Sequence, residues 1–183
     1  MKYLFFCVVI FLIYSDAGAQ KKNKVIFNSY NSAGFVSGKL PLAFTAQTEN
    51  GISFKNWFVG AGFGIDLYYK KTLPLFVAVK KEFSFKKNSL FLFANAGKNI
   101  IPKNEQIIAD RFSTVLSQGG FYGDAGIGYK MKTSKRSNVF FSLGSTVKYI
   151  EEIEKATDFL GMPQFSDINY KFNRISFRIG FQF

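Results

Sequence analysis

Charged residues alternate with large apolar residues along several segments of this sequence, and these charged residues are the candidates for chemistry. Eight of them have the parity opposite to the apolar residues of their segments: Asp66, Lys80, Glu82, Asp124, Lys130, Lys148, Arg174 and Arg178. If this parity faces the inside of a closed sheet, the charges must pair, because an unpaired buried charge is costly. The pattern therefore predicts an interior network of salt bridges and hydrogen bonds.

Two uses of such a network fit the sequence. In the first, the paired side chains fill the interior and plug it, since an eight-stranded barrel has room inside only for side chains. In the second, the charges form a gate or a narrow ion path. The plug is the main interpretation, and a narrow, porin-like path is the alternative.

The residue types exclude several other kinds of site. Cys7 is the only cysteine and the sequence has no histidine. A disulfide framework, a Cys/His zinc site and a Ser-His or Cys-His nucleophile pair are therefore excluded. Asp110, Arg111 and Ser113 are a poor substitute for such a pair. We expect no catalytic residues, no metal and no cofactor, and we expect that the protein is not an enzyme.

The elements that must position the charges are strands. Of the 183 residues, 24 are Phe, 9 are Tyr and 16 are Gly, a composition typical of β-proteins. The clearest segment, 57–68, has apolar residues such as Phe63 at one parity and glycines and Asp66 at the other. Glycines and charged residues between them divide the chain into eight strand-like segments, at about 28–38, 40–54, 57–68, 73–85, 90–97, 119–131, 139–149 and 170–183.

The length of these segments indicates strands that cross a membrane. Soluble strands usually have about 5–6 residues, whereas tilted strands that cross a bilayer need about 9–11. The connections near 55–56, 86–88 and 132–138 are short, and those near 98–118 and 151–169 are expected to be loops of about twenty residues. Short turns at one end and long loops at the other are typical of outer-membrane barrels. The predicted fold is an all-β, eight-stranded, antiparallel transmembrane barrel with up-and-down meander topology.

The start of the chain has the pattern of a secretory leader. Lys2 precedes an apolar core from Leu4 to Tyr14, which is too short to span a bilayer, and Ala17-Gly18-Ala19 is a cleavage site of small residues. We predict a cleaved signal peptide at 1–19, a short periplasmic segment at 20–27 and the barrel at 28–183.

Four segments carry a resemblance to a known family: WFVGAGFGIDLYY, TLPLFVAVKKEF, GGFYGDAGIGYKM and NYKFNRISFRIGFQF. They resemble the small eight-stranded outer-membrane barrels of OmpA/OmpX-type architecture, and more closely the outer-membrane β-barrel domain family of Bacteroidetes-type bacteria. The resemblance implies location in the bacterial outer membrane, among its lipid and lipopolysaccharide. It also implies that the end of the chain is an assembly signal for the barrel-assembly machinery, formed by Phe177, Ile179, Phe181 and Phe183.

Nine of the 24 basic residues behind the net charge of +12 gather in the N-terminal segment and the short turns. The basic residues expected at the periplasmic rim are Lys21, Lys22, Lys24, Lys55, Lys86, Lys87, Lys132, Lys135 and Arg136. Anionic lipid headgroups are the expected partner there, and no nucleic acid is expected. Tyrosine and tryptophan at strand ends fit interfacial girdles: Trp57, Tyr68, Tyr69, Tyr129, Tyr149 and Tyr170.

Three functions are compatible with these features. The first is a structural or surface-interaction role through the two long outer loops, with an unknown extracellular or periplasmic protein as a possible partner. The second is permeation through a narrow channel. The third is a soluble, lipocalin-like periplasmic barrel, which would have its apolar side chains inside, the reverse of the arrangement expected here.

Overall fold

A computed structural model describes residues 25–103, 107–109, 113–134, 137–157 and 163–183. The signal peptide predicted at 1–19 lies outside these residues. The strands are β1 (Ile26–Ser37), β2 (Ala43–Phe54), β3 (Trp57–Asp66), β4 (Leu73–Phe85), β5 (Asn88–Ile100), β6 (Ile107–Ala109), β7 (Ser113–Lys132), β8 (Asn138–Thr157) and β9 (Pro163–Gln182). No helix among the described residues is long and apolar enough to cross a membrane.

Eight of the strands form a closed ring. From β1 to β5 and from β7 to β9, each strand pairs antiparallel with the next one along the chain. The ring closes through two further pairings, β1 with β9 and β5 with β7. Among the described residues, the three-residue strand β6 pairs with the first turn-proximal residues of β7, from Ile107↔Leu116 to Ala109↔Thr114. The predicted eight-stranded antiparallel meander is confirmed.

The two faces of the wall differ as the period-two pattern predicts. In β3, Val59, Phe63 and Ile65 are exposed on the outside, whereas Phe58 and Asp66 are buried inside. The same alternation holds in β7, β8 and β9 within the barrel. An aromatic cluster occupies the interior together with Ala78: Tyr30, Phe58, Phe76, Phe91, Phe93, Tyr122 and Phe140.

The lower end of the barrel is the end where β1 begins and β9 finishes. Two of its hairpins have two-residue turns, Lys55–Asn56 and Lys86–Lys87. The first residue of each turn has a left-handed backbone, with φ of 54° at Lys55 and 51° at Lys86. Tight hairpins prefer such turns because their twist matches the twist of the paired strands. The prediction of short turns at this end is therefore correct.

At the upper end, the prediction of two loops of about twenty residues is wrong. Strands β7, β8 and β9 each have 20 residues. Strands β8 and β9 occupy most of the 151–169 segment, and β5, β6 and β7 together occupy more than half of the 98–118 segment. The β8–β9 ladder runs without interruption from Asn138↔Gln182 to Thr157↔Pro163. The upper part lacks clear amphipathic alternation because, beyond the barrel, no face of the sheet needs to be apolar. A register shift between Gly119 and Tyr122 lies where the β7–β8 ladder leaves the barrel.

Candidate functional site

The inward-facing charges form layers from the lower to the upper end of the barrel. In the lowest layer, Lys130 of β7 pairs with Glu82 of β4, with 2.5 Å between Nζ and Oε2. Tyr30 of β1 donates its hydroxyl to the other oxygen of Glu82 at 2.7 Å. Three strands from different parts of the ring are therefore connected at one carboxylate.

The second layer is built around Lys80 of β4. Its ammonium lies 2.8 Å from Glu49 of β2, and both side chains are buried. Four aromatic rings surround the ammonium, the nearest being that of Tyr30 with its centroid at 3.9 Å; the others belong to Phe58, Phe91 and Phe140. Electron-rich ring faces stabilise a cation that has lost its hydration. This layer therefore holds a charge in a predominantly aromatic environment.

The third layer is centred on Arg178 of β9, which is 3 % exposed. One guanidinium nitrogen donates to Asp124 of β7 at 2.5 Å, and the other donates to Gln47 of β2 at 2.6 Å. Gln47 in turn donates to the hydroxyl of Tyr122 at 2.6 Å. The planar guanidinium thus bridges strands on two sides of the ring, which a lysine could not do with the same geometry.

The fourth layer lies near the upper mouth, at Asp66 of β3. Arg174 of β9 donates to one oxygen of Asp66 at 2.5 Å, and the ammonium of Lys148 of β8 lies 3.5 Å from the other. The backbone amide of Tyr68 also donates to this carboxylate at 2.9 Å. Two cations therefore face a single buried carboxylate, which also accepts a hydrogen bond from one backbone amide.

The turn between β3 and β4 lies over this layer and contacts the opposite wall. Lys148 donates to the carbonyl oxygens of Tyr68 and Lys70, at 2.8 and 3.0 Å. The ammonium of Lys70 lies 2.6 Å from Glu152 of β8 and also donates to Ser117 of β7. The turn is therefore fixed across the mouth of the barrel.

One row of the lumen contains buried polar atoms that no described residue satisfies. Asp124, Thr146 and Arg174 are neighbours on β7, β8 and β9, and Asn95 is the neighbour of Asp124 on β5. Each has at least one buried polar atom without a hydrogen-bond partner among the described residues. Water is the usual partner of such atoms, so this layer is expected to be hydrated.

All eight charged residues singled out from the sequence line the interior, and each has an ion-pair partner. Three charged members of the layers were missed: Glu49, Lys70 and Glu152. Glu49 has the inward parity of β2 together with Thr45 and Gln47, so its alternation with Phe44 could have identified it. Lys70 and Glu152 lie in segments that were interpreted as connections, where parity predicts nothing.

The lumen is narrow where the second and third layers meet. A cavity of about 10 Å³ lies there among Glu49, Lys80 and Arg178. A cavity must hold about 10–15 Å³ of probe-occupied volume to contain one water. The space at this level therefore matches at most a single water molecule.

Tyr68 corrects the interpretation of the aromatic strand ends. It was expected at the membrane interface, but it is buried inside, where its ring packs on Phe172 and its hydroxyl accepts a hydrogen bond from the amide of Leu40. Tyr68 shares the inward parity of Asp66, and the turn keeps it on that side. Trp57, Tyr69, Tyr129, Tyr149 and Tyr170 are partly or fully exposed.

The remaining sequence candidates have the following positions. Lys55, Lys86, Lys87 and Lys132 are exposed at the lower rim, whereas Lys21, Lys22, Lys24, Lys135 and Arg136 lie outside the described residues. Asp110 and Arg111, and the side chain of Ser113, also lie outside them. Phe177, Ile179, Phe181 and Phe183 all point outward. Within the described ranges, no group of three or more acidic, Cys or His side chains could hold a metal ion.

Comparison with known proteins identifies one solved structure of similar fold. No family model matches the sequence, and no curated protein matches it. The crystal structure of neisserial surface protein A is similar to this chain, with a TM-score of 0.53 and 11% sequence identity. The match covers 87% of this chain and 97% of that chain. At this identity, the similarity establishes a shared barrel fold.

Proposed function

We propose that this protein is an integral β-barrel of the bacterial outer membrane, with a filled and charge-paired interior. The observation that carries the proposal is the inverted polarity of the barrel. Large apolar side chains such as Phe63, Val77 and Phe177 are exposed on the outer wall, while charged side chains are buried and paired inside. Soluble monomers rarely expose apolar patches of more than a few hundred Å², whereas a bilayer requires such a band.

The closed ring meets a second requirement of a membrane. Hydrocarbon supplies no hydrogen-bond partners, so a sheet with open edges would leave backbone groups unsatisfied. Here β1 pairs with β9 from Tyr30↔Gln182 to Ser37↔Ile175, and β5 pairs with β7 from Asn88↔Met131 to Lys98↔Phe121. The wall of the barrel therefore has no open edge at the level of these pairings.

Aromatic side chains near both ends of the barrel support two interfaces between membrane and water. Trp57 and Tyr129 lie near the lower turns, and the ammonium of Lys81 lies 4.6 Å from the Trp57 ring centroid. Tyr69, Tyr149 and Tyr170 lie near the upper mouth, and the Tyr69 and Tyr170 rings are 5.2 Å apart. Amphipathic rings prefer the headgroup level of a bilayer. Two such levels define the thickness of the proposed membrane band.

The orientation of the barrel in the membrane and its route of export are part of this proposal. With a cleaved leader at 1–19, both ends of the barrel chain lie on the periplasmic side, which is the lower end. The outward residues Phe177, Ile179, Phe181 and Phe183 would then be read by the barrel-assembly machinery as the chain inserts. The link to OmpA/OmpX-type barrels and to the Bacteroidetes-type family is part of this proposal.

The upper part of the protein is the proposed surface-interaction element. Residues 163–169 of β9 lie above Tyr170, and at about 3.3 Å per residue they span roughly 23 Å. This sheet exposes Glu151, Asp167 and Phe165. The likeness to a protein named for its surface location supports an outward role, structural or in contact with a partner.

Membrane residence is tested by fractionation. The protein should be recovered with the outer membrane and should migrate faster in detergent gels before heating than after it. Recovery as a monomer that needs no detergent would contradict the proposal and would favour the lipocalin-like alternative.

The filled interior is tested separately, by planar-bilayer recording. We expect no steady conductance, because the lumen between Lys80 and Arg178 holds a cavity of only about 10 Å³. Reproducible single-channel steps from the purified protein would overturn the plug and favour the narrow channel.

A further inference from the structure

The lower mouth of the lumen contains a polar cavity of about 320 Å³, the lower cavity. It lies between strands β4, β5, β7 and β8 and the β4–β5 turn, and its lining includes Ser84, Lys86, Lys87, Ser89, Lys130 and Lys132. Pockets for small molecules have about 300–1,000 Å³. The space higher in the lumen, between Lys80 and Arg178, matches at most one water. The lower cavity is therefore the part of the lumen that can hold a ligand.

The strand register places the inward lining residues side by side. Ser84 of β4 is paired with Ser89 of β5, which in turn is paired with Lys130 of β7. Lys132 is the next inward residue of β7, one step closer to the opening. Opposite residues on paired strands have Cβ atoms about 4.5–5.5 Å apart, so neighbouring side chains can contact one ligand together. The closed wall of the barrel holds these positions.

The lining of the lower cavity has an excess of positive charge. Among the described residues that form it, four are lysines and none is acidic. Lys130 is paired with Glu82. The other three lysines have no ion-pair partner within the described ranges: Lys86, Lys87 and Lys132. The two serine hydroxyls add hydrogen-bond donors, so the cavity suits an anion.

The lower cavity ends inside the barrel. Lys130 lines its inner end, where the pair with Glu82 connects β7 to β4, and Tyr30 donates its hydroxyl to the same carboxylate. Above this pair, Lys80 and the aromatic rings around it fill the interior. A ligand in the cavity therefore enters and leaves through the lower mouth. This geometry serves binding and not permeation.

We propose that the lower cavity is a binding site for a small phosphate compound with at least two negative charges. The ammonium groups of Lys86, Lys87 and Lys132 bind its oxygens, and the inward serines donate their hydroxyls to it. Three uncompensated lysines favour a multiply charged anion over a singly charged one. Lysine binds phosphate as a point charge, and donors that converge from several strands and a turn match a tetrahedral group.

The anion site goes beyond the proposed function. Binding needs only the folded barrel, because all the lining residues belong to its wall and to one turn. The side of the membrane on which the site opens depends on the orientation proposed above, which puts the lower mouth in the periplasm.

The test is isothermal titration calorimetry of the purified barrel in a neutral detergent, with pyrophosphate as the ligand and acetate as the singly charged comparison. We expect one pyrophosphate to bind per barrel, with an affinity that falls as the salt concentration rises. Acetate should bind far more weakly. Lys86→Gln should lower the affinity for pyrophosphate about threefold, because one exposed charge contact is lost. Ser89→Ala should also lower it several-fold, through the lost hydroxyl donor.

Lys55→Gln is the matched control for Lys86→Gln. Lys55 is the first residue of the other two-residue turn at this end, with φ of 54° against 51° at Lys86, and it lines a different cavity. Its substitution should leave the affinity nearly unchanged. Equal losses in the two variants would overturn the site, since pyrophosphate would then bind to the basic rim as a whole. The absence of pyrophosphate binding, or acetate binding of equal affinity, would also overturn it.

Failure of this inference is distinguishable from failure of the proposed function. The same samples are run on heat-modifiability gels. A heat-modifiable barrel that binds no pyrophosphate contradicts the anion site alone. A protein that binds pyrophosphate with the expected response to Lys86→Gln, but shows no heat-modifiable form, contradicts the membrane location and supports the anion site.

Discussion

Lys148 of β8 donates a hydrogen bond to the carbonyl oxygen of Tyr68, 2.8 Å away, although Tyr68 belongs to the turn that follows β3. In the ring, three strands separate β3 from β8 in either direction. The contact therefore crosses the full width of the upper mouth. It holds the 67–72 turn across the opening, where Lys70 and Glu152 add a second connection.

Substitution of Lys148 should release this turn. Lys148→Met removes the donor to two carbonyls, while Asp66 keeps Arg174 as its partner. A hydrogen bond to a charged group is worth about 1.5–3 kcal/mol, so amide exchange of the turn should become roughly thirtyfold faster. Hydrogen exchange of Thr72, whose amide donates to the Asp66 carbonyl oxygen, measures the effect. Lys155→Met, higher on the same strand, is the control, and equal exchange in the two variants would contradict the role of Lys148.

Arg178 and Asp124 should make an interdependent contribution to the free energy of unfolding. Asp124→Asn leaves the buried guanidinium without its counter-charge, and we expect a loss of about 3–5 kcal/mol. Combination with Arg178→Met should cost less than the sum of the two single changes, because the uncompensated charge is gone. Urea unfolding in lipid vesicles, followed through the fluorescence of the single tryptophan, Trp57, gives all four free energies. Additive effects would show that the two residues do not stabilise each other.

Gly128 should be intolerant of a side chain because of Phe91. A Cβ at Gly128 would overlap the buried ring of Phe91, which is itself packed against Phe93 and Phe140. We expect Gly128→Ala to destabilise the barrel by about 1–3 kcal/mol, as overpacking does. Phe91→Leu in the same chain should restore part of the loss.

A matched glycine on the same strand tests whether the effect comes from the interior. A Cβ at Gly123 would meet only the ring of Phe121, an exposed side chain that can move. Gly123→Ala should therefore be close to neutral in the same urea assay. Equal losses at the two positions would indicate a general effect of glycine in β7 and would contradict the contact with Phe91.

The barrel wall was predictable from the sequence because each strand there separates two environments. Phe177 and Arg178 could be assigned to opposite faces from parity alone. The pairs themselves could not be assigned: parity shows that Arg178 faces inward, but only the register brings it to Asp124 and Gln47. Register depends on the hairpin turns and on the closure of the ring, which are not local properties of the sequence.

The upper sheet was not predictable for the opposite reason. Residues such as Glu151 and Asn169 pair across the β8–β9 ladder, yet the sheet there has water on both sides. The alternation of apolar and polar residues disappears when both faces of a strand are solvated. The segment therefore has the composition of a loop. Ile150, Glu152 and Ser117 are exceptions, since they are buried at the base of this sheet, but so short a run gives no clear period.

The turn at Lys55 should be improved by glycine. A non-glycine residue in the left-handed region is strained by about 1–2 kcal/mol, partly offset by the greater freedom of glycine in the unfolded chain. With φ of 54° at Lys55, we expect Lys55→Gly to stabilise the barrel by about 0.5–1 kcal/mol. The neighbouring Asn56→Gly relieves no such strain and should be neutral or destabilising. A lower urea midpoint for Lys55→Gly than for the unchanged protein would contradict this account.

Phe183 should matter for assembly more than for stability. Its side chain is 61% exposed, and its two backbone hydrogen bonds with Ser29 do not depend on the side chain. We expect Phe183→Ser to lower the amount of folded barrel in the outer membrane several-fold in growing cells. After refolding in lipid vesicles in vitro, the same variant should unfold at a urea concentration only slightly below that of the unchanged protein, because Phe183 lies at the edge of the apolar band and its hydrogen bonds with Ser29 remain. Phe165→Ser, at an exposed position on the upper part of the same strand, is the control and should assemble normally. Equal assembly of the two variants, or a matching loss of stability in Phe183→Ser, would contradict a role of the final residue as a signal for the assembly machinery.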